Sequence, residues 1–469
     1  MSLIDDHGDA RPVHFVGAGG AGMSALVELF VRRGVAVTGC DASSAGAADL
    51  IALRVPVAHG HDPSHVDGAR AVVYSSAIPL DHPELARARS AGIPVIRRAE
   101  ALAEAVHGAR LVGVAGTHGK TTTTSLVTEA LAAAGINPTG LVGGRVASWN
   151  GNLRRGGDAV YVVEADEYDR SFLALDPEVA VITNIEADHL DIYRDLADLR
   201  SAFAQYCSRA KTVVLCADDP GADSLPVQHA TEIVRYGVSS PDARLLARDI
   251  RDENGLTMFT VWFDGSPRGE VHLRIPGEHN VQNALAALGV GLAWGAQISA
   301  MVPGLAGFTG VERRFQRLGE AAGVTIVDDY AHHPTEILAT LAAARGAFPG
   351  RRIVIAFQPH LFSRTRDFAS EFGAALATAD AVFLGDIYPA REDPIPGVTS
   401  AIIADAIQEA GARVTWMGAR AAMAGALSAF AQPGDVVLTV GAGDVTRVGP
   451  ELLATLASQP TASEGGRDA

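Results

Sequence analysis

A lysine, three hydroxyl residues and two glycines are gathered in Gly116-Thr117-His118-Gly119-Lys120-Thr121-Thr122. Polyphosphate chemistry needs such a set. Glycines let backbone N–H groups turn towards the anion, a helix start adds its dipole, Lys120 reaches the β- and γ-phosphates and Thr121 holds Mg²⁺. The usual leading glycine, five residues before the second, is Val114, so Gly116 makes the turn. Among 38 basic residues only Lys120 and Lys211 are lysines. A chain that writes arginine almost everywhere has kept a lysine where a compact ammonium differs from a planar fork.

A second glycine loop, Gly17-Ala18-Gly19-Gly20-Ala21-Gly22, opens another helix and is followed about twenty residues later by Asp41. Taken alone, this G-x-G-x-x-G fingerprint suggests NAD. Other chemistry-bearing residues stand where apolar runs end. Tyr161–Val163 ends in Glu164-Ala165-Asp166-Glu167, and Val179–Thr183 ends in Asn184-Ile185-Glu186-Ala187-Asp188-His189. Glu164 and His189 read as Mg²⁺ ligands or water holders, or else as solvated strand caps, since Mg²⁺ prefers oxygen. Asn280 and Asn283 share one face of an alanine-rich helix and could cap it or touch a nucleotide. In the last third, Val324–Val327 ends in Asp328-Asp329-Tyr330-Ala331-His332-His333, and Arg351–Phe357 ends in Gln358-Pro359-His360, with Arg364 close behind.

The elements that must position these residues are strands leading into loops and then helices. Leu111–Val114 is a strand in pattern, and Ser125–Ala134 is a helix that stops at Gly135. Val13–Val16, Val35–Gly39, Ala71–Tyr74 and Pro94–Ile96 are strands of an earlier series, and residues 212–275 read as shorter strands with turns. Parallel strands finish on one edge, so their polar ends converge. The class is therefore α/β, and 469 residues suggest roughly three domains.

A net charge of −16 argues against a nucleic-acid surface, because nothing resembles a basic stripe. No stretch approaches the roughly 20 apolar residues of a membrane span, and the polar start is no signal peptide. Three scattered cysteines without metal spacing suit a reducing cytoplasm.

The motifs GAGGAGMS, SSAIP, GTHGKTTTT, EADEYDRSF, TNIEADHLD, GEHNVQNALAA, ERRF, DDYAHHPTE, QPHLFSRT and YPAREDPIPG, in register over residues 12–445, resemble the Mur ligases. The resemblance is strongest to the members that add L-alanine to UDP-N-acetylmuramic acid. It implies three domains: a Rossmann-like UDP-sugar domain at 12–107, a central P-loop ATPase-type domain at 108–309 and a Rossmann-like amino-acid domain at 310–458. The composition of the tail, 459–469, leads us to expect disorder there. The implied reaction passes the γ-phosphate of ATP to the lactyl carboxylate of the sugar. The amine of L-alanine then attacks the acyl phosphate, releasing ADP and phosphate.

On this resemblance the first loop holds UDP instead of NAD. Gly17, Gly19, Ala21 and Gly22 line the diphosphate, with Asp41, Ser75, Ser76, Ala77 and Ile78 near uridine and sugar. Lys120 and Thr121 serve the γ-phosphate, Glu164 and His189 complete the metal environment, and His189 also steers the acyl phosphate. Asn280, Asn283, Arg314 and Asp329 grip the nucleotide. Tyr330 and His332 pack around the alanine methyl, Arg364 forks onto its carboxylate, and His333 and His360 are wall residues. The third domain, joined near Thr309 to Glu312, is implied to close over ATP.

Two departures stand out. Leu361 replaces an arginine of the amino-acid pocket, which leaves the preference among alanine, serine and glycine open. No lysine lies between 121 and 210, so the carbamylated lysine of several sister ligases is expected to be absent. The rival reading is the sister ligase that recycles murein tripeptide onto the same sugar nucleotide, against which the GGAGMS loop and the YPAREDPIPG segment tilt towards alanine. Monomer and homodimer both stay open.

Overall fold

The computed structural model describes residues 9–43, 46–189, 192–253, 255–390 and 392–458. The tail expected to be disordered, 459–469, lies outside the described residues, as do Leu190, Asp191 and Arg391 of the quoted motifs. The chain forms two compact units. The first comprises residues up to 251 with 258–273 and 280–309; the second comprises 252–257, 274–279 and the chain from 310.

In the first unit β1 (Val13–Val16), β2 (Val37–Asp41), β3 (Val57–His59), β4 (Ala71–Tyr74) and β5 (Val95–Arg97) form a parallel sheet in the order β3-β2-β1-β4-β5. All four residues of β1 are buried, as expected of a strand covered on both faces. Strand order reverses between β1 and β4, so the loop at Gly17 and the turn Ser75–Ile78 share the crevice where such sheets bind ligands.

The second sheet has ten strands: β6 (Arg110–Ala115), β7 (Thr139–Val146), β8 (Gly151–Arg154), β9 (Val160–Glu164), β10 (Val179–Ile182), β11 (Thr212–Cys216), β12 (Glu232–Gly237), β13 (Leu245–Glu253), β14 (Leu256–Phe263) and β15 (Ser266–Leu273). Their order is β15-β14-β13-β12-β11-β10-β6-β9-β7-β8. The phosphate-loop strand β6 is flanked by β10 and β9, both parallel to it, so the ends carrying Glu164 and Thr183 flank Gly116. The short strands expected over 212–275 are partly a misreading, because β13, β14 and β15 run to nine, eight and eight residues. Their apolar residues are interleaved with charges that look like turns.

The first two sheets share one unit for a physical reason. Helix Ala21–Arg32 buries Met23, Ala25, Leu26, Val27, Leu29 and Phe30, more than one apolar stripe. It lies against β2 on one side and against β7 and β8 on another, and one continuous core runs from Val13 to Leu225.

In the second unit β16 (Gln316–Ala321), β17 (Val324–Asp329), β18 (Ile353–Phe357), β19 (Ala381–Gly385), β20 (Val414–Gly418) and β21 (Val436–Val440) take the order β16-β17-β21-β18-β19-β20. Only β16 is antiparallel to its neighbour. Ile353, Ile355 and Phe357 enter one core and Val354 and Ala356 the other, the period of two of a strand buried on both faces. Among the described residues no helix is long and apolar enough to cross a membrane.

Candidate active site

The phosphate loop is shaped by two backbone positions. Gly116 has φ +138° and Gly119 φ +80°, a region that side-chain-bearing residues avoid. Gly119 is the N-cap of helix Lys120–Ala133 and offers no side chain to its first N–H groups. Asp195 and Asp219 cap their helices from the side chain, whereas this helix, like many others in the chain, has no side-chain cap. The uncapped start thus leaves backbone donors and a positive dipole end for an anion. The threonine-rich run still holds a helix because its hydroxyls fold back onto carbonyls, Thr124 to Lys120 at 2.8 Å and Thr128 to Thr124 at 2.7 Å.

The end of β10 fixes the loop. Thr117 N donates to Asn184 O at 3.0 Å, His118 N to Asn184 Oδ1 at 2.8 Å, and Thr183 Oγ1 to His118 O at 2.6 Å. Lys120 Nζ donates to Gly116 O at 2.7 Å, Thr117 O at 3.1 Å and Glu167 Oε1 at 2.9 Å. Burial works against this ammonium, but the Glu167, Asp166 and Glu164 carboxylates outweigh it and hold Lys120 above its ordinary pKa. Glu167, 1% exposed, is conversely held below the usual carboxylate range: burial opposes ionisation, and Lys120 and His189 overcome it.

Thr121 Oγ1 lies 3.0 Å from both carboxylate oxygens of Glu164, which also accepts from Gly143 N at 2.6 Å. This hydroxyl and carboxylate suit a hard, oxygen-ligated cation. His189 does not join that pair. Its Nε2 is 3.4 Å from Glu167 Oε1 and 3.9 Å from Asp188, and these acids outweigh burial to raise its pKa. Glu164 thus pairs with Thr121, and His189 with Glu167. Glu167 is the residue that the sequence reading passed over. Its other oxygen, Oε2, is buried without a hydrogen-bond partner, the kind of atom an arriving cation or donor would satisfy.

Asn280 and Asn283 are tied to the helix behind the phosphate loop. Thr123 Oγ1 donates to Asn283 Oδ1 at 2.9 Å, and Asn283 Nδ2 donates to Asn280 Oδ1 at 3.2 Å. Both are buried, and Asn283 stands so close behind Gly119 that a Cβ there would be 2.9 Å from its Oδ1. Asn283 buttresses the loop and its helix.

At the first glycine loop, helix Ala21–Arg32 also starts uncapped, at Gly20. Asp41 accepts from Gly19 N and Ser43 N, both at 2.8 Å, so its carboxylate braces the loop that it was expected to serve from the ribose side. Gly17, φ +75°, faces Ile78, which brings the turn Ser75–Ile78 to the same crevice; Ala21 and Gly22 start the helix. Arg98, unremarked in the sequence, places its guanidinium 3.1 Å from where a Gly22 Cβ would stand. A cation there suits a diphosphate.

The second unit gathers its own set. Asp329, at the end of β17, accepts from Phe315 N and Ala331 N, both at 2.7 Å; burial pushes its pKa up to about 6 even with Arg314 nearby. Arg313 and Arg314 lie 4.7 and 5.1 Å from the Tyr330 ring centroid. Tyr330 meets His332 edge-on at 5.3 Å, His332 meets His360 at 6.0 Å, and His360 stacks on Tyr388 at 5.8 Å. Tyr330, His332, His360 and Tyr388 thus form a continuous run of ring contacts. Glu336 accepts from His332 N at 2.9 Å, and His333 caps the helix Pro334–Ala347. Arg364 is buried in helix Phe362–Asp367, directly after Leu361, which has φ +71°.

Three family models match this chain in series: "Mur ligase family, catalytic domain" over residues 12–110, "Mur ligase middle domain" over 114–291 and "Mur ligase, glutamate ligase domain" over 313–443. The UDP-N-acetylmuramate–L-alanine ligase of Acidothermus cellulolyticus is 47% identical over 451 residues, 94% of each chain. The crystal structure of UDP-N-acetylmuramate-alanine ligase from Thermotoga maritima superposes with a TM-score of 0.82 at 28% identity, covering 95% of this chain and 99% of that one. A murein peptide ligase from Psychrobacter arcticus has the same fold, with a TM-score of 0.72 at 23% identity, over 96% of this chain and 99% of that one. With its three-domain α/β architecture, this chain belongs to the Mur ligase family.

Proposed function

We propose that this chain is an ATP-dependent ligase that joins L-alanine to the lactyl carboxylate of UDP-N-acetylmuramic acid, releasing ADP and phosphate in peptidoglycan precursor synthesis. The observation that carries the reading is the presence, in one compact unit, of two glycine-loop helices that both start without a side-chain cap. Two anionic ligands have built cradles, and the full-length relatives named above act on a sugar nucleotide and an amino acid.

A free carboxylate does not condense with an amine in water, so the carboxylate must first become an acyl phosphate. Little covalent work falls to the protein, which positions the reactants and neutralises charge. Lys120 exchanges its loop carbonyls for phosphate oxygens while Glu167 keeps the ammonium charged and aimed. Thr121 and Glu164 would hold Mg²⁺, which would supply charge neutralisation at the transferring phosphoryl group. His189, whose pKa Glu167 and Asp188 raise against the effect of burial, steers the acyl phosphate. Asp41 and Arg98 set the loop that takes the diphosphate of UDP, with Gly17, Gly19, Ala21, Gly22 and Ser75–Ala77 as its walls. Asn280 and Asn283 hold the ATP loop in shape. Arg314 and Asp329 grip the nucleotide, Tyr330 and His332 surround the alanine methyl, and Arg364 takes its carboxylate. The boundaries 12–107, 108–309 and 310–458 belong to this reading.

ADP release with UDP-N-acetylmuramate and L-alanine tests it. Turnover is expected with both present and not with either alone. Turnover only when murein tripeptide replaces alanine, or ATP consumption without the muramyl substrate, would overturn it.

A further inference from the structure

Glu84, at the start of helix Pro83–Ser90, is fully buried, yet its carboxylate is surrounded by groups from four separate stretches of chain. Cys40 Sγ, at the end of β2, lies 3.2 Å from both of its oxygens. His61 Nδ1 lies 3.3 Å from Oε2 and 3.4 Å from Cys40 Sγ. His65 Nδ1 is 2.9 Å from Oε1, and Asp62 N donates to that same oxygen at 3.1 Å. His82 Nδ1 is 3.8 Å from Oε2 and is buried without a hydrogen-bond partner. His14, 1% exposed, offers a ring nitrogen within 4.8 Å of both Cys40 and Glu84, and its Nε2 is also without a partner. Nothing in the ligase reaction calls for this convergence.

We propose that Cys40, His61, His82 and Glu84 form a binding site for a zinc-type divalent cation. Ligands held at about 2.0–2.1 Å for nitrogen, about 2.0–2.2 Å for oxygen and about 2.3 Å for sulfur stand about 3.3–3.6 Å apart around a tetrahedral ion. The triangle of Cys40 Sγ, His61 Nδ1 and Glu84 Oε2 has edges of 3.2, 3.4 and 3.3 Å, close to one face of such a tetrahedron. His82, clustered with His61 and Glu84, offers an unpartnered Nδ1 3.8 Å from Glu84 Oε2, from which it would move in to become the fourth ligand. Thiolate, imidazole and carboxylate together select zinc-like ions over Mg²⁺. On binding, the Cys40 thiol loses its proton to solvent, and thiolate plus carboxylate cancel the two positive charges of the ion where neither would be well solvated. His65 orients Glu84 through its other oxygen. The side chain of His61, 25% exposed, leaves a way in from solvent. The ion would pin β2, the loop after β3 and the helix Pro83–Ser90 together. Asp41, the residue after Cys40, would thereby be held against Gly19, so the site braces the first glycine loop.

The test uses full-length protein equilibrated with Zn²⁺ or Co²⁺ in excess Mg²⁺, which occupies oxygen-ligand sites, and then dialysed. One tightly held zinc per chain is expected, and the Co²⁺ form should show a thiolate-to-metal charge-transfer band. Cys40→Ser should lose the band, His82→Asn should weaken Co²⁺ binding at least tenfold, and His65→Ala should weaken it about 10–100-fold through the loss of its hold on Glu84. No retained zinc in the unmodified protein overturns the proposal without recourse to any variant. A charge-transfer band that persists in Cys40→Ser overturns it as well.

Discussion

Lys120 is kept charged in a nearly closed pocket because Glu167 is buried beside it, and the two shift one another in opposite directions. Breaking a buried pair leaves one charge uncompensated, at a cost of about 3–5 kcal/mol. Glu167→Gln should therefore lower the unfolding midpoint clearly in a thermal melt and reduce kcat, while Lys120→Arg should fail to rescue Lys120→Ala in ADP-release assays. Both lysine variants should lose about 10²–10³-fold in kcat, the usual scale for one preorganised charge stabiliser. Asp329 gives a pH signature. Its folded pKa of about 6 lies above the unfolded value, so the folded state binds the extra proton, and its contribution to stability falls as pH rises from about 4 to about 6. Denaturant titrations should show that downward component in the parent protein and its absence in Asp329→Asn. Which carboxylate would meet Lys120 could not be read from Glu164-Ala165-Asp166-Glu167. The choice is made by the turn beginning at Tyr168 and by Tyr193, whose hydroxyl donates to the Glu167 carbonyl at 2.7 Å.

At the scale of elements, both glycine loops were legible because their requirements are local: a buried strand, a backbone that turns through positive φ and a helix start. The bracing was not. Gly19 sits so close to its supports that a Cβ would stand 2.8 Å from the Gly46 carbonyl carbon and 3.0 Å from Asp41 Oδ2. Gly19→Ala should raise KM for the sugar nucleotide by tenfold or more and leave KM for ATP within twofold, since the second cradle is a separate loop. Equal effects on both substrates in steady-state kinetics would show instead that the change spreads through the unit. The edge strands β8 and β16, each antiparallel to its neighbour, escaped the sequence reading because short edge strands are specified by the partner they pair with.

Across the whole molecule, one continuous core underlies the first two sheets, while the second unit has cores of its own. Calorimetry should resolve two transitions. UDP-N-acetylmuramate at one hundred times its Kd should stabilise the first unit by about 2.7 kcal/mol and leave the other transition where it was. A single transition with equal calorimetric and van't Hoff enthalpies would show that the units unfold together.

By itself the sequence determined the α/β class, the two glycine loops that open helices, the polar strand ends beside them and the family. Each of these is written in residues a few positions apart and obeys backbone rules that act over that range. Only the tertiary structure decided that Glu167 partners Lys120 across 47 positions, that Asp41 braces its own loop, that one helix welds two sheets into a unit, and that Cys40 and three histidines meet at Glu84. Such pairings depend on which side chains the packed sheets exclude from water together, and no local spacing encodes that.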